Sequence, residues 1–286
     1  MMKMLRIAGL FVALPMCACE LGDRIPPDLV SVSKSQPLGN EKSLDATVRF
    51  DIGRLEVSAA SAPNLYSMDL DYDKAHFDQE VRFDSSGSDA ARLNVKLDGS
   101  RKGSRIETKN NRMRLDFTDA VPLKLTVSTG MGSAKLSLSR LKLSNLEVEG
   151  GVGSTNISSY DPNSVECDRI RIRNGVGGMH AVGLGNLNFR TLEFEGGVGG
   201  ADLDFTGEWR NDAEIRIEVG VGGVNVKMPR AIGVEVNAEK HFLSGLHLDG
   251  FSKRNGRYYS ENHDKAKFRV TIKVSTGIGG FRISWV

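Results

Sequence analysis

The chain has 286 residues, 40% of them hydrophobic and 26% charged, with 38 Lys and Arg against 36 Asp and Glu. That is ample for a sizeable core in one large domain or two small ones, and a nearly neutral balance without a basic run gives nucleic acid no electrostatic footprint. Glycine, at 32 residues, is the composition signal that stands out.

At the N-terminus, Lys3 and Arg6 flank the start of an apolar run from Leu5 to Met16. The run is too short to span a bilayer, which takes about 20 residues. Small residues and cysteines follow it, the pattern of a secretion signal. The segment "MCAC" resembles a bacterial lipobox, with Ala18 directly before Cys19. On that resemblance residues 1–18 are a lipoprotein-type signal peptide, and lipid on Cys19 ties the chain to the membrane. Cleavage at Cys17 and a plain secretion signal are the competing readings. Residues 19–44, with Pro26, Pro27 and Pro37, read as a tether, and residues 45–286 as one domain.

The domain is built on a recurring phrase. "EGGVGSTNI" (Glu149 to Ile157) returns as "EGGVGGADL" (Glu195 to Leu203). Aligned on its first glycine, the phrase falls at Gly130, Gly151, Gly175, Gly197, Gly220 and Gly277. The first four steps are nearly equal, and the last is long enough for one more coil plus a loop. A fixed period in the twenties marks a solenoid. Apolar residues recur five and three before the glycine (Leu146 and Val148, for example) and four and six after it (Ala201 and Leu203). The residue one after it, as in Met131, Val152, Val176, Val198, Val221 and Ile278, is apolar too and reads as a further inward slot. Within each arm the period is two, which argues strands with one buried face. The glycines then form a tight corner between two arms whose inward phase is reset. The fold class that follows is all-β: a single-stranded parallel β-solenoid with coils of about 22 residues and Gly-x-Gly corners.

Outward residues agree with this register. Glu147, Arg171, Glu193 and Arg216 stand four before the glycine, and Glu149, Arg173, Glu195 and Glu218 two before it. Stacking therefore sets opposite charges side by side in most steps, which marks register more than a one-sign ligand groove would. Weaker coils flank the clear ones, with Asp51 and Phe242 in the corner place. The segment between Asp51 and Gly130 fits no coil well and reads as additional strands near the N-terminal end. Asp249 to Phe268 reads as a long polar excursion.

The features that imitate chemistry have structural readings. Gly175-Val176-Gly177 is followed by His180 where a dinucleotide fingerprint needs glycine, and no helix period follows. Asp69, Asp71, Asp73 and Glu80 stand at calcium-hand positions, but Lys74 occupies the glycine place, so a strand with Met68, Leu70 and Tyr72 inward is preferred. The histidines His76, His180, His241, His247 and His263 lack metal-ligand spacing. Cys167 matches Leu143 and Phe189 in neighbouring coils and reads as an inert core thiol. No serine stands in a nucleophile-elbow context. The sequence thus points to no catalytic residue, cofactor site or metal site.

"DIGRLEV", "LYSMDLDYD", "VRFD" and "LKLTVSTGMGSAKLSLSRLKLSNLEVEGGVGSTNI" together resemble the toast-rack domain family of bacterial envelope proteins. Gly233 to Ile283 is similar to the C-terminal domain of LiaF-like proteins, the cell-wall-active antibiotic response group. Related adhesin-like domains share the repeated corners. The resemblance covers residues 45 to 286 and implies a β-solenoid, an envelope role and no enzymatic activity. LiaF-like proteins carry membrane helices before this domain and modulate a sensor kinase. This chain has a lipoprotein-like signal instead.

The resulting expectation is a non-enzymatic, lipid-anchored interaction or scaffold module of the cell envelope, with a stress-response role as the LiaF-like resemblance implies. Its partner is an envelope protein or a glycan. Arg254, Arg257, Tyr258 and Tyr259 in "RNGRYYSEN" mix cations and rings and are the candidate binding residues. The open ends of the solenoid offer a route to a homodimer. Two alternatives stand beside this reading: an adhesin that contacts surfaces, and a β-helix polysaccharide enzyme, which the alternating outward charges disfavour.

Overall fold

The structure is a computed structural model that describes residues 26–61, 63–85, 89–99, 111–238 and 245–286. Period-two alternation of apolar and polar residues dictates strands, and strands are what form. The first group is β1 (Leu29–Pro37), β2 (Ser43–Ala60), β3 (Asn64–Asp73), β4 (Phe77–Asp84), β5 (Ala90–Gly99) and β6 (Arg112–Thr118). The second is β7 (Pro122–Ser137), β8 (Lys142–Ser158), β9 (Cys167–Val182), β10 (Phe189–Val198), β11 (Ala201–Asp204) and β12 (Ala213–Met228). The third is β13 (Gly233–Ala238), β14 (Gly245–Leu248), β15 (Phe251–Arg254), β16 (Arg257–Ser260) and β17 (Arg269–Trp285). The protein is all-β; the only helical turn among the described residues is a 3-10 turn at Leu184–Leu187.

Parallel ladders run through the middle. β5 and β6 pair with the two halves of β2, and β2 pairs with β7, β7 with β8, and β8 with β9. β9 then pairs with β10 and β11, which both pair with β12, so these four strands close a ring of pairings. β12 pairs with β17, and β17 with β13 and β14. Antiparallel strands finish both ends: β1–β3–β6 and β4–β5 at one, β13–β16–β15 at the other. At each end the chain tucks a long strand inside: β2 lies between β7 and the β5–β6 pair, and β17 between β12 and the β13–β14 pair.

Parallel pairing sets equivalent residues one above another. The rows headed by Leu125, Val127, Ala134 and Leu136 are buried in every rung through Phe281 and Ile283. Thr155, the polar member of these rows, is buried as well. The charged rows also align: Glu147 lies beside Arg171, Arg171 beside Glu193, and Glu193 beside Arg216. Arg171 Nη2 reaches Glu193 Oε2 at 2.8 Å, and Arg173 joins Glu149 at 2.6 Å and Glu195 at 3.2 Å.

Four expectations change. Leu29–Pro37, inside the expected tether, is strand β1, because Val30 and Val32 pack on the core while Ser31 and Ser33 bond Asp71 and Asp69 across the ladder. Between Asp51 and Gly130, where no coil was expected, β5 and β6 lie parallel on β2 without a Gly-x-Gly phrase between them. The polar excursion after Asp249 contains an ordered hairpin. The fourth change concerns the corner. Met131, Val152, Val176, Val198, Val221 and Ile278 point outward and are 44% to 67% exposed.

The reason lies in the glycines either side. The second glycine of each phrase has φ between 130° and 148°, a region that side chains disfavour. A β-carbon on Gly177 would lie 1.8 Å from the carbonyl oxygen of Gly153, and one on Gly151 would lie 2.2 Å from that of Gly130. Both glycines therefore direct their bare side at the neighbouring coil. The residue between them is left exposed, facing solvent.

Candidate interaction surface

The expected binding residues lie on the β15–β16 hairpin, turned by Asn255 and Gly256 with φ of 49° and 82°. Their groups are largely engaged within the protein. Arg257 Nη1 donates to Glu235 Oε1 at 2.8 Å, and Arg254 Nη1 to Asp264 Oδ2 at 3.1 Å. The Arg254 guanidinium also lies 4.4 Å from the Tyr259 ring centroid, and Lys253 lies 5.1 Å from that of Tyr258. The hairpin caps one end of the stack. Beside it, Arg230, Asp249, Glu261, Asn262 and Trp285 line a shallow cleft of about 300 Å³.

A larger feature runs along the corners. Register places Ile52 beside Met131, then Val152, Val176, Val198, Val221 and Ile278 in turn. Ile52 is partly buried and the next six are exposed. Rungs about 4.8 Å apart make a stripe on the order of 25 Å long. From one residue before to three after each first glycine, these six coils carry neither a charged nor an aromatic residue. Monomeric proteins seldom leave so continuous an apolar patch uncovered without a use for it. Sequence alternation assigns this row to the core. The signal that corrects it is its confinement between two glycines.

The residues that imitate chemistry are accounted for locally. Met68, Leu70 and Tyr72 are buried, as the strand reading requires. Asp71 and Asp69 accept hydrogen bonds from Ser31 and Ser33, and Glu80 pairs with Arg82 on β4. No group of three metal-ligating side chains occurs among the described residues. His180 lies 3.4 Å from Asp202 on the exposed surface, His247 is on β14, and His263 contacts Asp264 and the Tyr259 ring. The expected signal peptide, Cys19, His241 and Phe242 lie outside the described residues. Cys167 is fully buried, and burial pushes its thiol pKa up to about 12, which makes it inert.

Asp73 and His76 form a buried pair, Oδ2 to Nδ1, at 2.5 Å. Asp73 Oδ1 also accepts from the amides of Asp28 and Ala75, tying β1 and the β3–β4 turn together. Burial pushes the Asp73 carboxyl up, but the Asp28 amide, the His76 ring and the Ala75 amide outweigh it and hold the pKa below the usual 3.8. A carboxyl lowered by folding stabilises the fold above its unfolded pKa and loses that contribution as pH falls through the folded value. Stability measured by urea unfolding should therefore decline below about pH 4 through this group. Asp73→Asn should be less stable at neutral pH and show a shallower acid decline; an unchanged acid slope would remove Asp73 as the cause.

The fold and this surface define an all-β protein of stacked strands with an exposed apolar stripe. The chain belongs to the family described as the N-terminal domain of toast_rack, DUF2154, whose model matches residues 26–181 and 163–227. Residues 228–286 lie beyond that match, and of these β13, β14 and β17 continue the ladder from β12. A search of the curated proteins finds no match. Among solved structures, a candidate cell adhesion protein from Clostridium sporogenes is similar over 91% of this chain and all of its own, at 19% identity and a TM-score of 0.49. A candidate adhesin from Bacteroides fragilis covers the same shares at 12% identity and a TM-score of 0.41.

Proposed function

We propose that this chain is a lipid-anchored, non-enzymatic interaction module of the bacterial cell envelope. In this reading it is built as a parallel β-solenoid with a Gly-x-Gly corner in each of the six coils that begin at β7, β8, β9, β10, β12 and β17. The observation that carries the proposal is the uncharged apolar stripe from Met131 to Ile278 on a rigid stack of strands. The leader supports export and attachment through Cys19, and no described helix is long and apolar enough to cross a membrane. The test places a photo-crosslinking residue at Val176 and, as control, at exposed Lys135 on the second arm of β7. Adducts specific to Val176 in envelope fractions support the reading. Absence of adducts from Val176, or equal adducts from both positions, would count against it. Cys19→Ala should release the protein from the membrane fraction.

A second reading, adhesion to a glycan, is favoured by the cleft at Trp285, which lies at the foot of the hairpin that carries Arg254, Arg257, Tyr258 and Tyr259. Replacing Arg257, Tyr258 and Tyr259 with alanine should then abolish retention on a glycan panel. Retention equal to that of the unaltered chain would exclude this surface.

A further inference from the structure

We infer that the corner stripe docks against the same stripe of a second copy of this chain. The inference rests on the interaction reading above and names its partner. Three observations select a second copy. The first is area. Exposures of 44% to 67% over six apolar side chains leave on the order of 500 Å² per copy, so two copies bury about 1,000 Å², the threshold for a specific interface. The second is spacing. The rungs recur at the inter-strand distance of about 4.8 Å, and a second copy presents the same row at the same interval by construction. A two-fold axis makes such a contact self-complementary and closed.

The third observation is chemical. The band offers no charge and no aromatic ring, which removes the stacking platforms and charged groups by which sugars and peptides with charged termini are held. A bilayer surface would be met by Lys, Arg, Trp or Tyr at the margins. Here both margins are of mixed sign: one carries Glu149, Glu195 and Glu218, with Arg173 already paired to the first two, and the other carries Lys135, His180, Asp202 and Arg282. The ends of the stack suit self-association less well. Edge strand β1 carries Lys34 and ends at Pro37, and edge strand β15 carries Lys253 and Arg254, features that oppose strand-to-strand pairing.

The experiment uses the full-length chain in its own envelope and a short bismaleimide crosslinker. Val176→Cys and Val198→Cys should each give a product of twice the chain mass containing only this protein. The unaltered chain, whose Cys167 is buried, and Lys135→Cys should not. A second pair of variants separates docking from folding: Val176→Asp with Val198→Asp, and Val176→Ser with Val198→Ser. The six side chains are exposed, so thermal midpoints should stay within a few degrees of the parent. The aspartate pair should shift the solubilised protein from dimer to monomer across the whole concentration range, and the serine pair should weaken association at least tenfold. A parent that is monomeric, or a dimer indifferent to both pairs, overturns the inference. Crosslinking of Val176→Cys to a different protein alone, or labelling of the stripe by a lipid probe alone, also overturns it while leaving an interaction role intact.

Discussion

Gly177→Ala should cost at least about 4 kcal/mol of folding stability, whereas Gly178→Ala, one residue on, should change it by no more than about 0.5 kcal/mol. The two glycines are adjacent in "NGVGGM" and look interchangeable. Gly177 has φ of 135°, and its added carbon would meet the Gly153 carbonyl oxygen at 1.8 Å and carbonyl carbon at 2.8 Å. Those are backbone atoms of the paired rung, where Gly153 lies directly beside Gly177. Neither strand can yield without parting the ladder on both sides of the glycine phrase. Gly178 has nothing within 4 Å of its added carbon, so alanine meets no obstacle there and reduces the freedom of the unfolded chain. Urea unfolding of both variants, with the slope checked for constancy, measures the difference. A Gly177→Ala variant within about 1 kcal/mol of the parent would refute the account of the corner given above.

The second large effect is expected at Asn163. This residue lies in the loop between β8 and β9 and is almost fully buried. The β8–β9 ladder begins at Asn145, so Leu143 has no strand partner on that side. The Asn163 side chain takes that place: its Nδ2 donates to the Leu143 carbonyl at 2.7 Å, and its Oδ1 accepts from the Leu143 amide at 3.1 Å. The same Nδ2 reaches the Leu187 carbonyl at 3.1 Å, linking a third coil. Alanine would leave one amide and two carbonyls buried without partners, a loss of about 3 kcal/mol or more. Asn163→Asp should be worse, because it turns an oxygen toward two carbonyls. For a domain of this size the thermal midpoint should fall by roughly 6–12 °C, while Asn156→Ala, exposed on β8, should leave it nearly unchanged. A fall of only about 1–2 °C for Asn163→Ala would mean that water replaces the lost contacts.

Both effects concern the places where one coil meets the next, and the corner stripe has the same origin. Backbone approach across a rung forces bare glycines, and bare glycines push the residue between them into solvent. An exposed apolar stripe therefore arises from the requirement for close stacking, without a separate loop to carry it.

Much of this was legible from residue order. The spacing of the glycines, the four apolar rows and the alternating Glu and Arg columns each define which residues share a row, because parallel neighbours keep equivalent positions together. Core placement of Cys167 follows from the same alignment. What the order could not give is the direction of a side chain where the alternation is interrupted. Val152 and its counterparts keep the inward parity of Leu146 and Val148, yet they face out, because the backbone twist at the second glycine is set by the neighbouring coil's carbonyl. Nor could it place β1, whose partner β3 is separated from it by the whole of β2, or the parallel pairing of β5 and β6 with β2, where the glycine phrase is absent. The hairpin at Arg254 to Arg257 shows the same limit: its cations read as candidate binding residues in the sequence, and tertiary structure supplies Glu235 and Asp264 to meet them. Local pattern determined the rows. Contacts between distant segments decided which faces of those rows the solvent sees.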